Sequence, residues 1–433
     1  MVLVKATEQK DKPMTEPSQK PAPDALPTKT KAEASARRSK AFGTFLLAAF
    51  LSALLLVGAG AYLTLAPDPV ARPNTVPPAA PTTLPAKTMT FVAPRGVIDA
   101  ELLRDFETET GNSVELILYD NEETLLGAAT TSGLNTDVLL ASGITIQRLQ
   151  RNAGFVVLPA RLIGNLGRID PGLRTLSKLY DTAGLYAVPY AWTAIGLGFD
   201  RAALTMRLGP THTIESWATL FDPDVVSKLA DCGVYSLDAP SLAFPSVLKS
   251  MGLPPFSETP GDIERASAAW EAVRGKISKF DSRALSDGLA SGQACLALAT
   301  ASDVYRARAQ ARDAGQTFSP EFAVPREGSV LRLYMLALPR GAKTDTTPTS
   351  RQAALVDYLL KPEVSARMTN THWLANAVPA SQLYVRQDIK GDPGIYPDVA
   401  AFARLTPETN PTQAAISLRE RFWLLISFGG KAP

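Results

Sequence analysis

Histidine and cysteine are scarce in this 433-residue chain, with two of each. The histidines, His212 and His372, stand far apart, and no C-x-x-C or H-E-x-x-H spacing occurs. No metal site and no cofactor are therefore expected. A G-x-S-x-G elbow, a phosphate-binding Walker loop and a full dinucleotide fingerprint are missing too. With no clustered acids either, general acid–base chemistry has few candidates, and the chain is not expected to be an enzyme. The formal net charge is only +2, so there is no concentrated basic face to argue for nucleic acid as a partner.

What charge there is lies unevenly. Residues 1–40 hold nine Lys or Arg against five Asp or Glu, and they carry no hydrophobic period, which predicts a disordered basic head. Residues 41–65, AFGTFLLAAFLSALLLVGAGAYLTL, are free of charge. At about 1.5 Å per helical residue such a run can cross a hydrocarbon core of about 30 Å. Arg37, Arg38 and Lys40 precede it, and the positive-inside rule then leaves the N-terminus in the cytoplasm. The expectation is one transmembrane helix over 41–65, a signal anchor in the inner membrane, with the rest of the chain in the periplasm or outside. A cleaved signal peptide is the competing reading, because Gly58, Ala59, Gly60 and Ala61 end the run. No cysteine lies nearby, which excludes a lipoprotein anchor. Residues 66–88 contain seven prolines and are expected to form a semi-rigid spacer.

The body begins near Met89. The whole chain is 45% apolar and 20% charged, which fits a folded soluble body, and its 433 residues suggest two globular units. Apolar runs predict strands at Met89–Ala93, Val114–Tyr119, Asp137–Leu140, Ala187–Phe199, Gly233–Leu237, Ala294–Ala299 and Leu331–Leu338. Between them, helical periods predict helices at Glu122–Thr131, Asp262–Arg274, Ser302–Ala314, Gln352–Leu360 and Thr412–Ile426. A further helix is expected to start at a cap on Asp99, bury Leu102, Leu103 and Phe106, and end at Gly111. This alternation predicts an α/β fold with parallel βαβ units. Cys232 and Cys295 in an exported body are a plausible disulfide; two unrelated buried thiols are the other reading.

The segments FETETG (106–111), VPYAWTAIGLGFD (188–200), SWATLFDP (216–223), CGVYSLDAP (232–240), VPREG (324–328), LLKPEV (359–364) and DPGIYPDVAAFARL (392–405) follow in an order that resembles the periplasmic polyamine-binding proteins of ABC importers. The likeness is to the putrescine type within the family 1-type extracellular solute-binding proteins, and it spans nearly all of residues 89–428. The resemblance implies a two-lobed, type II-like periplasmic-binding-protein fold that closes on a small-molecule solute and delivers it to an ABC-transporter permease. It implies lobe 1 over 89–192 and about 328–378, with lobe 2 over about 193–327 and 379–433. It also implies a Cys232–Cys295 disulfide.

Against the family pattern, the ligand site departs. Where the family has Trp, a small hydroxyl residue and Tyr after the first strand, this chain reads Pro94, Arg95 and Val97. Ser142 is kept, and Ile144 replaces an aromatic or polar contact. Ser241 and Leu242 stand where the family carries a carboxylate. Asp303, the family's amine-binding aspartate, is kept, but its neighbouring tryptophan becomes Thr300. The Phe and Asp of the cleft strand become Arg332 and Tyr334, and a late aromatic becomes Leu374. The ligand-binding set implied is thus Arg95, Ser142, Ser241, Thr300, Asp303, Arg332 and Tyr334. Two guanidinium groups in such a cleft disfavour a diammonium ligand and suit a carboxylate or phosphate, while Asp303 still suits a positive group. The expectation is an anionic or zwitterionic solute. A non-transport envelope interaction or sensor protein with a vestigial cleft remains the alternative, because an acid facing two arginines can also close into an internal salt bridge.

Overall fold

In the computed structural model, residues 88–152, 154–340 and 350–428 are described. They fall in one compact unit, Thr83–Pro433. The run at 41–65, the basic head and nearly all of the proline-rich segment lie outside the described residues, and no helix among the described residues is long and apolar enough to cross a membrane.

The first strands form where β-branched and aliphatic residues alternate or run together. β1 (Met89–Pro94) lies between β2 (Val114–Tyr119) and β3 (Val138–Ser142), parallel to both. The helix Ala100–Thr110 joins β1 to β2. Asp99 caps it by accepting from the Leu102 N–H at 2.8 Å, and Gly111 ends it at φ 71°, with Leu102, Leu103 and Phe106 buried, as expected. β3 then meets β9 (Ser329–Ala337) antiparallel, and β9 meets β4 (Ala187–Phe199) antiparallel.

β4 is the element that divides the body into two lobes. From Ala187 to Ala194 it pairs with β9, and Ala375 and Asn376 of β10 (Ala375–Asn376) pair with it on the other edge. From Ile195 to Phe199 it pairs instead with β7 (Leu296–Thr300), and from Leu197 with β8 (Glu321–Ala323). Gly196 sits at this change of partners because a Cβ there would meet the Ala323 carbonyl oxygen at 2.4 Å. In the second lobe β5 (Val234–Ser236) lies between β7 and β6 (Lys279–Phe280), parallel to both. β11 (Leu405–Pro407) adds to β9 in parallel. The architecture is therefore α/β and two-lobed, and its sheet is mixed: the parallel units expected from the alternation hold within each lobe, while β9 runs against β3 and β4, and β4 against β7 and β8.

Each lobe has its own core. The first gathers Phe91, Phe106, Leu139, Leu140, Met335 and Leu336. The second is richer in rings, with Phe221 edge-on to Trp270 at 4.9 Å and Trp270 edge-on to Trp423 at 5.4 Å. Trp423 comes from the C-terminal helix Gln413–Phe428, which packs in the second core. Val385, Ile389, Ile395 and Leu405, from the stretch the sequence assigns to lobe 2, pack in the first core. Cys232 and Cys295 are joined as a disulfide, with Cα atoms 5.5 Å apart, across the start of β5 and β7.

Candidate functional site

Parallel strands end together, and the loops that leave their carboxyl ends face a common crevice. Here β1, β2, β5, β6 and β7 open in this way onto one cavity of about 270 Å3 between the lobes. From the first lobe come Arg95 and Gly96 after β1 and Asp120 to Glu123 after β2. From the second come Asp238, Ala239 and Ser241 after β5, Ser282 and Arg283 after β6, and Thr300, Ser302, Asp303 and Arg306 from the end of β7 onward. Arg332 and Tyr334 of β9 form the floor.

Six of the seven residues implied by the sequence line this cavity: Arg95, Ser241, Thr300, Asp303, Arg332 and Tyr334. Ser142 does not. It is fully buried, and both its N–H and its hydroxyl donate to the Glu122 carboxylate, at 2.9 and 2.7 Å, so it holds an acid rather than a ligand. Thr145 donates a third hydrogen bond to Glu122 at 2.8 Å.

Arg332 also differs from its expected role. Its guanidinium is held at two points by Glu408, Nε to Oε2 at 3.0 Å and Nη2 to Oε1 at 2.7 Å, with Glu122 at 3.9 Å. The Glu408 side chain is 1% exposed and that of Arg332 is 12% exposed. A buried arginine needs such compensation, since desolvation alone costs several kcal/mol per ion. Burial opposes the Arg332 charge, and the fields of Glu408 and Glu122 overcome it, so the guanidinium stays well above its usual range. Tyr334 beside it is pushed up to about 12, chiefly by burial, and stays a neutral hydroxyl.

The mouth of the cavity is arranged differently. Asp120 accepts from Arg95 Nε at 2.7 Å on its own lobe and from Arg283 Nη2 at 2.5 Å across the cleft. Two guanidinium groups, 58% and 73% exposed, thus converge on one carboxylate. The Arg95 guanidinium first, and that of Arg283 after it, hold the Asp120 carboxyl below its usual range. A second contact between lobes lies beside this one: a Cβ on Gly96, at φ 80°, would fall 2.4 Å from Arg306 Nη2, so the bare backbone there makes room for the guanidinium. Asp303 caps its own helix in a reciprocal box with Thr300 and stands 3.7 Å from Arg306. Asp238 lines the cavity and accepts from Trp423 Nε1 at 2.6 Å.

The lining therefore mixes both signs, with the guanidinium groups of Arg95, Arg283, Arg306 and Arg332 beside the carboxylates of Asp120, Glu122, Glu123, Asp238 and Asp303. Sequence reasoning missed Asp120, Glu122, Arg283 and Glu408. The first two had a usable signal, since they directly follow a predicted parallel strand. No cluster of His, Cys, Asp and Glu able to hold a metal occurs among the described residues.

Comparison with known proteins places these features. The family model for bacterial extracellular solute-binding proteins matches residues 91–366. A putrescine/agmatine-binding protein of Pseudomonas aeruginosa is 30% identical, over 78% of this chain and 90% of its own length. The putrescine-binding periplasmic protein PotF of Escherichia coli is 28% identical, over 77% of this chain and 89% of its own. Among solved structures, the spermidine/putrescine ABC transporter substrate-binding protein PotD of Streptococcus pneumoniae superposes with a TM-score of 0.65 at 17% identity. That alignment covers 79% of this chain and 99% of the other, and it is a likeness of fold.

Proposed function

The chain belongs to the family of bacterial extracellular solute-binding proteins, and we propose that it is the membrane-anchored solute receptor of a polyamine-type ABC importer whose preferred solute is zwitterionic. The ammonium end of such a solute lies toward Asp303. Its carboxylate end lies at the mouth between Arg95 and Arg283. One observation carries this reading: two guanidinium groups from opposite lobes converge on the single carboxylate of Asp120. Arginine binds carboxylates at two points, and a solute carboxylate that joins or displaces Asp120 ties the lobes together. A diamine has nothing to offer there, because its second ammonium meets two positive groups. Relatives named for putrescine support the amine end only.

Delivery to a permease by lobe closure follows from the family and the strand-switching geometry of β4. Anchoring through residues 41–65 rests on the uncharged run and the basic residues before it. Resistance of the full chain to carbonate extraction from membranes tests the anchor, and release into the soluble fraction removes it.

The solute is tested by thermal shift and calorimetry of the full chain against diamines, amino-acid-like zwitterions and organic acids. A zwitterion is expected to give the largest stabilisation through binding linkage. Putrescine or spermidine giving the largest shift overturns the zwitterion. Absence of any shift, together with a reproducible envelope partner, favours the second reading, a non-transport interaction protein. The internal pairing of Arg332 with Glu408 and of Arg283 with Asp120 is what supports that second reading.

A further inference from the structure

A second, smaller chamber of about 30 Å3 lies between the lobes beside the solute cavity, sharing Glu123 and Ser241 with it. Its walls include Ile144 and Arg148 from the helix Gly143–Asn152 of the first lobe, with Phe256, Ile416 and Arg419 opposite. Arg419 is only 4% exposed. Its Nη2 donates to the Ser257 carbonyl at 2.7 Å, and its Nε has no hydrogen-bond partner among the described residues. No carboxylate among the described residues stands within ion-pair distance of Arg419 or of Arg148, whose Nε donates to the neutral Asn410 side chain at 2.9 Å. Glu258 attracts Arg419 only at longer range, and loss of solvent lowers the guanidinium to about 10. Glu420 and Glu123 also reach the chamber wall without an ion pair to either arginine; Glu123, its carboxyl raised by burial, and Glu408 act on Arg148 only at longer range.

Two unpaired guanidinium groups on opposite walls of one small chamber repel each other, and burying either without a counter-charge is costly. The space exceeds what one water needs and matches about two waters or one small anion. We propose that this chamber binds a small monoanion, chloride or a short carboxylate, between Arg148 of the first lobe and Arg419 of the C-terminal helix. Because the two arginines stand on different lobes, the anion favours the closed arrangement independently of the solute. The site does not depend on which solute the larger cavity takes.

The test is a titration of the full chain in neutral detergent at fixed ionic strength, with sodium gluconate replaced stepwise by sodium chloride or sodium acetate. A saturable rise in Tm of about 3 °C is expected with the anion that fits, and it identifies which of the two it is. The rise is lost in Arg419→Met and at least halved in Arg148→Gln. An equal rise in wild type and both variants is general screening and overturns the site. If Arg419→Met does not fold, the half-buried Arg148→Gln decides alone. Bromide soaked into crystals should scatter anomalously between the two guanidinium groups, and its absence there overturns the site if chloride gave the rise. No saturable rise with either anion overturns it outright.

Discussion

Arg332 and Glu408 meet in a two-point ion pair, 3.0 and 2.7 Å, sealed beneath the solute cavity and 76 residues apart in sequence. The pair turns an arginine that faces the cleft strand's ligand side into part of the floor. It also ties β9 to the chain just beyond β11.

Removing one member of this pair strands the other. Glu408→Ala is expected to lower the unfolding free energy by about 3–5 kcal/mol, because the Arg332 charge is left buried. Replacing both by apolar residues, Arg332→Met with Glu408→Leu, should recover most of that loss. Urea denaturation of the two variants checks it. A single variant as stable as the parent shows that the pair carries no such charge.

At the mouth the consequence is for binding and not for stability. Arg283 is 73% exposed, so Arg283→Ala should shift stability by no more than about 0.5 kcal/mol. Affinity for a carboxylate-bearing zwitterion should fall by roughly tenfold or more, the size of a charged hydrogen bond. Affinity for a diamine should hold or rise. Calorimetry with both ligand classes separates these outcomes, and parallel losses for both would count against an Arg283–carboxylate contact.

The Cys232–Cys295 link closes a loop of 63 residues. Loop-closure entropy makes its removal worth about 4 kcal/mol, so Cys232→Ala with Cys295→Ala should unfold at distinctly lower denaturant. Reducing the parent chain should reproduce the effect, and the double variant should not respond to reductant.

Acid sensitivity should trace partly to Asp99. The His372 ring, 3.2 Å away, and then the Leu102 N–H hold its carboxyl below the usual aspartate range against the cost of burial. The folded chain thus gives up that proton more readily than the unfolded chain. Its contribution is full above the unfolded value, about 3.9, and is lost as pH falls through the lower folded value. The stability gap between the parent and Asp99→Asn should therefore shrink from pH 6 to pH 3. A gap that stays constant over that range removes Asp99 from the acid limb.

Much of the fold was legible because it rests on local rules. The apolar run 187–199 predicts β4 to the residue, and Asp99 with Gly111 marks both ends of the first helix. β8 and β11, of three residues each, are too short for any period to declare them; only their pairing to β4 and β9 makes them strands. The site was half legible. Residues just past parallel strands, such as Arg95 and Asp303, are placed by chain position and by likeness to the family. Glu408 and Arg283 are not, since nothing near them in sequence says which distant arginine or carboxylate each will meet. From the sequence Arg332 reads as a solute contact or a partner of Asp303, and only the fold brings Glu408 to it.

The partner change along β4 reaches back to how the chain is made. β3 finds its antiparallel neighbour only in β9, which is synthesised after every strand of the second lobe. The N-terminal lobe therefore waits, incomplete and with an open edge, and the second lobe waits in turn for the C-terminal helix that brings Trp423 into its core. Such non-local pairing folds slowly and leaves strand edges unpaired in the meantime. Neither lobe can be cut out as one continuous fragment, and truncation before Ser329 should leave both lobes incomplete and aggregation-prone.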